Sequence, residues 1–188
     1  MRWRHVVVVI ALALASGSGA AADVTIQDFS GGWQGVELRT SGDDKGLKFT
    51  PEDLDVEISS DGDGFHMSWT GLARQDGGKL TRQKTEASFT PTDRPGVYAF
   101  DPGGASLLSR LFADPATGNP LEGETLLWAR LVGPTLTVYS LAIDSDGGFD
   151  LDRYARTLTD EGMTVGYTRR IENDLILTIE GRLEAAGG

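Results

Sequence analysis

The sequence predicts an all-β protein, an antiparallel up-and-down β-barrel of about 8–10 strands, and three observations carry that prediction. Apolar and polar residues alternate through segments of strand length, so each segment has one apolar and one polar face. Clusters of Asp, Gly, Asn and Pro separate these segments at intervals of roughly 8–12 residues, the spacing of consecutive hairpins. No sustained helical period interrupts the series.

The elements follow in order. Residues 1–22 read as a leader outside the barrel: a basic start (Arg2, Arg4, His5), an apolar run over 6–14 too short to cross a bilayer, and a small-residue segment ending in Ala20-Ala21-Ala22. Residues 23–188 then form one domain, expected in a bacterial periplasm or secreted. The first strand spans 33–40. The second, 53–59, alternates at every step, with Leu54, Val56 and Ile58 on one face and Asp53, Asp55 and Glu57 on the other. Asp61-Gly62-Asp63-Gly64 turns the chain into a third strand, because Asp-Gly supplies the positive φ of a tight hairpin. Strands are expected next at 80–90 and 97–100. The connection 101–123 is rich in Pro and Gly and carries one helical pattern, Leu107, Leu108, Leu111 and Phe112, which predicts a short helix over 105–112. Five strands complete the set, at 124–132, 135–143, 149–158, 163–171 and 175–183.

Charge and composition narrow the partners. A formal charge of −11 opposes any polyphosphate surface, so nucleic acid is not expected. Zero cysteines exclude disulfides, thiolate zinc sites and Cys nucleophiles. The mature chain offers no apolar run long enough for a membrane-spanning helix.

Residues 30–35, Ser-Gly-Gly-Trp-Gln-Gly, place Gly-x-Trp at Gly31 and Trp33, directly before the first strand. This resembles the opening of lipocalin-like (calycin) barrels and suggests a bacterial exported relative of them. The resemblance implies that Trp33 seals the closed end of the barrel, with an Arg late in the chain packed across it. Arg169, Arg170 and Arg182 are the positions open to that role.

A barrel of this size is either packed solid or holds one small ligand. Phe65, Met67 and Trp69 share one face of the third strand and suit an apolar lumen, while Gln83 and Thr85 add neutral polar groups from the next strand. Tyr139, Tyr154 and Tyr167 supply hydroxyls or packing. The function expected is an exported barrel that binds or carries a small apolar or amphipathic molecule. The alternatives are a barrel isomerase or cyclase, which requires a lumen-facing carboxylate of raised pKa, and a packed interaction protein with an apolar patch at Leu126, Leu127 and Trp128. No catalytic residue, metal set or cofactor is assigned. His66 is expected on the outer face. Asp53, Asp55 and Glu57 are expected in water, and Asp150 and Asp152 likewise, opposite Phe149 and Leu151. Asp144, Asp146 and Asp150 lack the spacing of a calcium loop.

Overall fold

The computed structural model describes residues 24–42, 47–74, 80–102 and 119–187, with the backbone alone at 72–74 and 80. The described residues form ten strands: β1 (Gly31–Gly42), β2 (Val56–Asp61), β3 (Gly64–Arg74), β4 (Leu80–Pro91), β5 (Val97–Asp101), β6 (Leu126–Val132), β7 (Thr135–Ile143), β8 (Phe149–Thr159), β9 (Gly162–Ile171) and β10 (Asp174–Ala185). Each pairs antiparallel with its sequence neighbour, and β1 pairs with β10, so the sheet closes into an up-and-down barrel. The leader and the expected helix over 105–112 lie outside the described residues. The connection into β6 is described only from its end, where Pro120–Glu122 forms a 3₁₀ turn.

The largest difference in strand boundary from the sequence reading is at the start of β2. Residues 53 and 54 belong to a 3₁₀ turn, Pro51–Leu54, and β2 starts at Val56. Pro51 fixes the φ that begins the turn, and the Asp53 carboxylate accepts the Thr50 backbone N–H at 2.8 Å. Leu54 is buried from the turn instead of from a strand, which preserves the alternating pattern without the ladder.

The register fixes the inward faces. Phe65, Met67 and Trp69 of β3 lie opposite Phe89, Ala87 and Thr85 of β4, and Val138 of β7 lies opposite Ala129 and Tyr154. At one end, the hairpin turns β2–β3, β4–β5 and β6–β7 gather around the 3₁₀ turn Ile26–Phe29, which inserts Ile26 and Phe29 as a plug. Phe65 stacks on Phe89 at 4.8 Å, and Tyr98 and Phe100 meet this pair edge-on. Phe29, Phe65, Met67, Phe89, Leu136, Met163 and Leu183 are all essentially unexposed, so the interior at this end is packed core.

The wall is not uniform. β2 has six residues where β1 has 12 and β3 has 11, and it pairs with β1 only along Gly31–Trp33. Beyond Trp33, the segment 47–55 with its 3₁₀ turn stands where a longer β2 would run, and acts as a lid. Two glycines admit it. A Cβ on Gly35 would collide with the Pro51 carbonyl, and one on Gly181 with the Leu54 side chain. A bulge at Val36 frees the Gly35 N–H from the ladder, and Asp55 accepts it at 2.9 Å. Arg82 adds an ion pair to Asp53 at 2.9 Å and lies over the Phe49 ring.

Candidate functional site

β8 carries the polar interior of the barrel. The β8–β9 hairpin sets Leu158 opposite Met163, and counting back by twos turns Arg156, Tyr154, Asp152 and Asp150 inward. Asp150 and Asp152 therefore do not face water as their apolar neighbours suggested; Phe149 and Leu151 take the outer face. The reason is a partner on β9. Arg169, opposite Asp152, donates to Asp150 at 2.7 Å and to Asp152 at 3.3 Å, and the Tyr167 hydroxyl donates to Asp152 at 2.8 Å. Burial pushes the Asp152 carboxyl up to about 6, against the pull of Arg169 and the Tyr167 hydrogen bond. Burial also raises the Tyr167 hydroxyl, aided by Tyr154 and Asp152, so it remains a donor. Burial opposes the charge on Arg169, but Asp152, Tyr167 and Asp150 outweigh it and hold the guanidinium protonated.

Arg156, on the same inward face, has no such partners among the described residues. It is 2% exposed, and its Nε and Nη1 atoms lack any hydrogen-bond acceptor. Burial lowers it to about 10, which still leaves it charged at neutral pH. The Tyr154 ring lies 6.0 Å from the guanidinium. The Trp69 indole N–H is a second buried donor without an acceptor.

Both side chains line one cavity of about 30 Å³. Its deep wall is Tyr154, Arg156, Val165, Tyr167 and Ile179; the lid contributes Phe49, Asp53 and Leu54; Trp69 and Thr70 complete it. Phe49, Asp53 and Thr70 are half-buried and form the rim, so the cavity reaches outward through the gap left by the short β2. The space holds about two waters or a head group of a few heavy atoms.

The expected lining residues separate accordingly. Trp69 and Tyr167 line the cavity. Phe65 and Met67 are packed core. Gln83 and Thr85 point into the barrel opposite Gly71 and Trp69 but lie outside the cavity lining. Tyr139 sits on the outer face, stacked on Trp128 at 4.8 Å, because the β6–β7 register pairs those two residues. Sequence reasoning missed Arg156 altogether, along with Phe49, Val165 and Ile179, and it weighed Tyr154 only as a hydroxyl or packing group.

The residues expected around Trp33 also separate. Gly31 opens β1 with φ 129° opposite Ile58, and Trp33 donates from its indole N–H to the Phe29 carbonyl at 2.9 Å, beside the plug. Arg169 is held by Asp150 and Asp152, Arg170 donates to the Asn173 carbonyl, and Arg182 pairs with Glu184 at 2.7 Å. Among the described residues no guanidinium packs over the Trp33 ring. His66 lies on the outer face with Nδ1 3.1 Å from the Ser88 hydroxyl. Asp144 accepts the backbone N–H groups of Asp146 and Gly148 and so shapes the β7–β8 turn. Among the described residues no group of three His, Asp or Glu side chains is placed to hold a metal ion, and no helix is long and apolar enough to cross a membrane. Leu127 faces inward, while Leu126 and Trp128 lie half-buried outside.

Comparison with protein-family models, curated proteins and solved structures finds no match for this chain. The closed ten-strand barrel is compatible with the calycin plan, and the reading of function rests on the cavity itself.

Proposed function

We propose that this protein is an exported, calycin-like β-barrel that binds a small amphipathic molecule in the cell envelope, with the polar end of the ligand inside the barrel. One observation carries the reading: an internal cavity, mostly apolar in its walls, is lined by a charged side chain that has no acidic partner among the described residues. Proteins rarely bury an ion without compensation, since desolvation is opposed by nothing else. The leader-like residues 1–22 support the exported location.

The experiment is equilibrium dialysis of the protein against radiolabelled short-chain amphiphiles, repeated with Val165→Phe, which fills the cavity from its deep wall. Uptake at one site that Val165→Phe abolishes supports the reading. No uptake, or uptake indifferent to Val165→Phe, removes it.

A second reading is favoured by Asp152. An isomerase or cyclase requires an inward carboxylate near neutrality, and Asp152 is one, connected to the cavity through the Tyr167 hydroxyl. In that case Asp152→Asn abolishes turnover of the bound molecule and leaves its affinity unchanged. A binding protein shows no turnover to abolish.

A further inference from the structure

Resting on the ligand-binding reading above, we infer that the molecule taken into the cavity carries a single anionic head group of the carboxylate class. Arg156 is its counter-ion, and its apolar part lies along Leu54 and Phe49 toward the rim.

The inward-facing acids are already committed. Asp150 and Asp152 are held by Arg169, and Asp53 on the lid is held by Arg82 and by the Thr50 N–H. Among the described residues no carboxylate pairs with Arg156. Two inward arginines therefore sit on adjacent strands of one barrel, one with two carboxylates and one with none. Water in the cavity satisfies N–H donors but leaves the Arg156 charge without a counter-ion beside it in a low-dielectric interior. A neutral ligand leaves the same deficit, and a cation worsens it. Only an anion removes it.

Shape narrows the anion further. The guanidinium presents a planar fork that a carboxylate meets with two parallel N–H···O bonds. Leu54, Val165 and Ile179 around it are alkyl surfaces, which match a hydrocarbon chain. The Trp69 N–H is a second donor lining the same space. Arg156 stands on a strand in the middle of the ladder, so its backbone is fixed before the ligand arrives.

The test is isothermal titration of the full chain, freed of bound lipid, with octanoate, octan-1-ol and octyltrimethylammonium, which share a tail and differ in the head. The wild type is expected to bind octanoate at least about tenfold more tightly than octanol, and the cation not at all. Arg156→Met is expected to lose about tenfold or more for octanoate and to change octanol by less than about twofold. Arg156→Lys, which keeps the charge without the fork, falls between. A circular dichroism spectrum unchanged in each variant shows that the barrel is retained. Octanol binding as tightly as octanoate, or Arg156→Met binding octanoate like the wild type, overturns the anionic head group and leaves the amphiphile reading standing. No binding of any of the three by the wild type overturns both.

Discussion

Replacing Arg156 with Met should stabilise the ligand-free protein. Burial lowers the guanidinium from its ordinary value to about 10, and at 1.36 kcal/mol per unit that corresponds to about 3 kcal/mol of uncompensated desolvation. Methionine is unbranched, apolar and slightly smaller, so it removes the ion and leaves a small void costing about 1 kcal/mol. The net expectation is a gain of about 2 kcal/mol, within the range seen when buried ions give way to apolar residues of similar size. For a domain of this length that raises the melting temperature by about 4–8 °C. Urea denaturation followed by tryptophan fluorescence reads it directly: the midpoint moves up and the slope stays constant. Octanoate at one fixed concentration then stabilises the wild type more than the variant. A loss of about 1 kcal/mol or more in Arg156→Met without ligand would refute the reasoning, since it would mean that the guanidinium holds the fold together.

Other consequences follow from the same interior. Asp152 has a folded value of about 6 against 3.8 in the unfolded chain, so the native state holds the proton more tightly; its contribution is full below pH 4 and is lost as pH rises through 6, by about 3 kcal/mol. A carbon-13 titration of the Asp152 carboxyl should give a midpoint near 6, and one below 4 contradicts the burial. Tyr167→Phe removes a hydrogen bond to the charged form, which should move that midpoint higher still and cost about 1–3 kcal/mol in urea. On the lid, Asp53→Ala should cost about 1 kcal/mol more than Arg82→Ala, because Asp53 caps the 3₁₀ turn as well as pairing with a half-exposed arginine; equal losses would deny the cap. Gly35→Ala should cost about 2 kcal/mol by driving a methyl into the Pro51 carbonyl, and a neutral result would show that the lid sits elsewhere.

The strands were legible because a half-buried strand writes its period into the sequence, and Phe65, Met67 and Trp69 kept that period without exception. The plug and the lid were not, since 3₁₀ turns of four residues have no period to detect. Thr50-Pro51-Glu52-Asp53 nonetheless holds the turn signal, and the alternation continuing through Leu54 masked it. The phase of β8 was misread from its start, where Phe149 and Leu151 are the apolar residues. Counting back from Leu158, beside the Asp160-Glu161-Gly162 turn, gives the observed phase and would have placed Arg156 inside. Inward acids were discounted because an isolated carboxylate is rarely buried; what overrides the rule is Arg169 on the neighbouring strand, a pairing that depends on register and that alternation alone does not supply. Tyr139 failed for a related reason, since a tyrosine fits either face and here stacks on the outward Trp128.

The most direct test of the central claim is a nitrogen-15 NMR titration of the tryptophan indole N–H groups with octanoate. Trp69 lines the cavity, Trp33 is tied to Phe29, and Trp128 lies outside against Tyr139. The account predicts a saturable shift of the Trp69 resonance at one equivalent, Trp33 and Trp128 unmoved, and saturation in Arg156→Met only at octanoate concentrations about tenfold higher or more. A Trp69 resonance that stays in place while octanoate saturates the protein would contradict it.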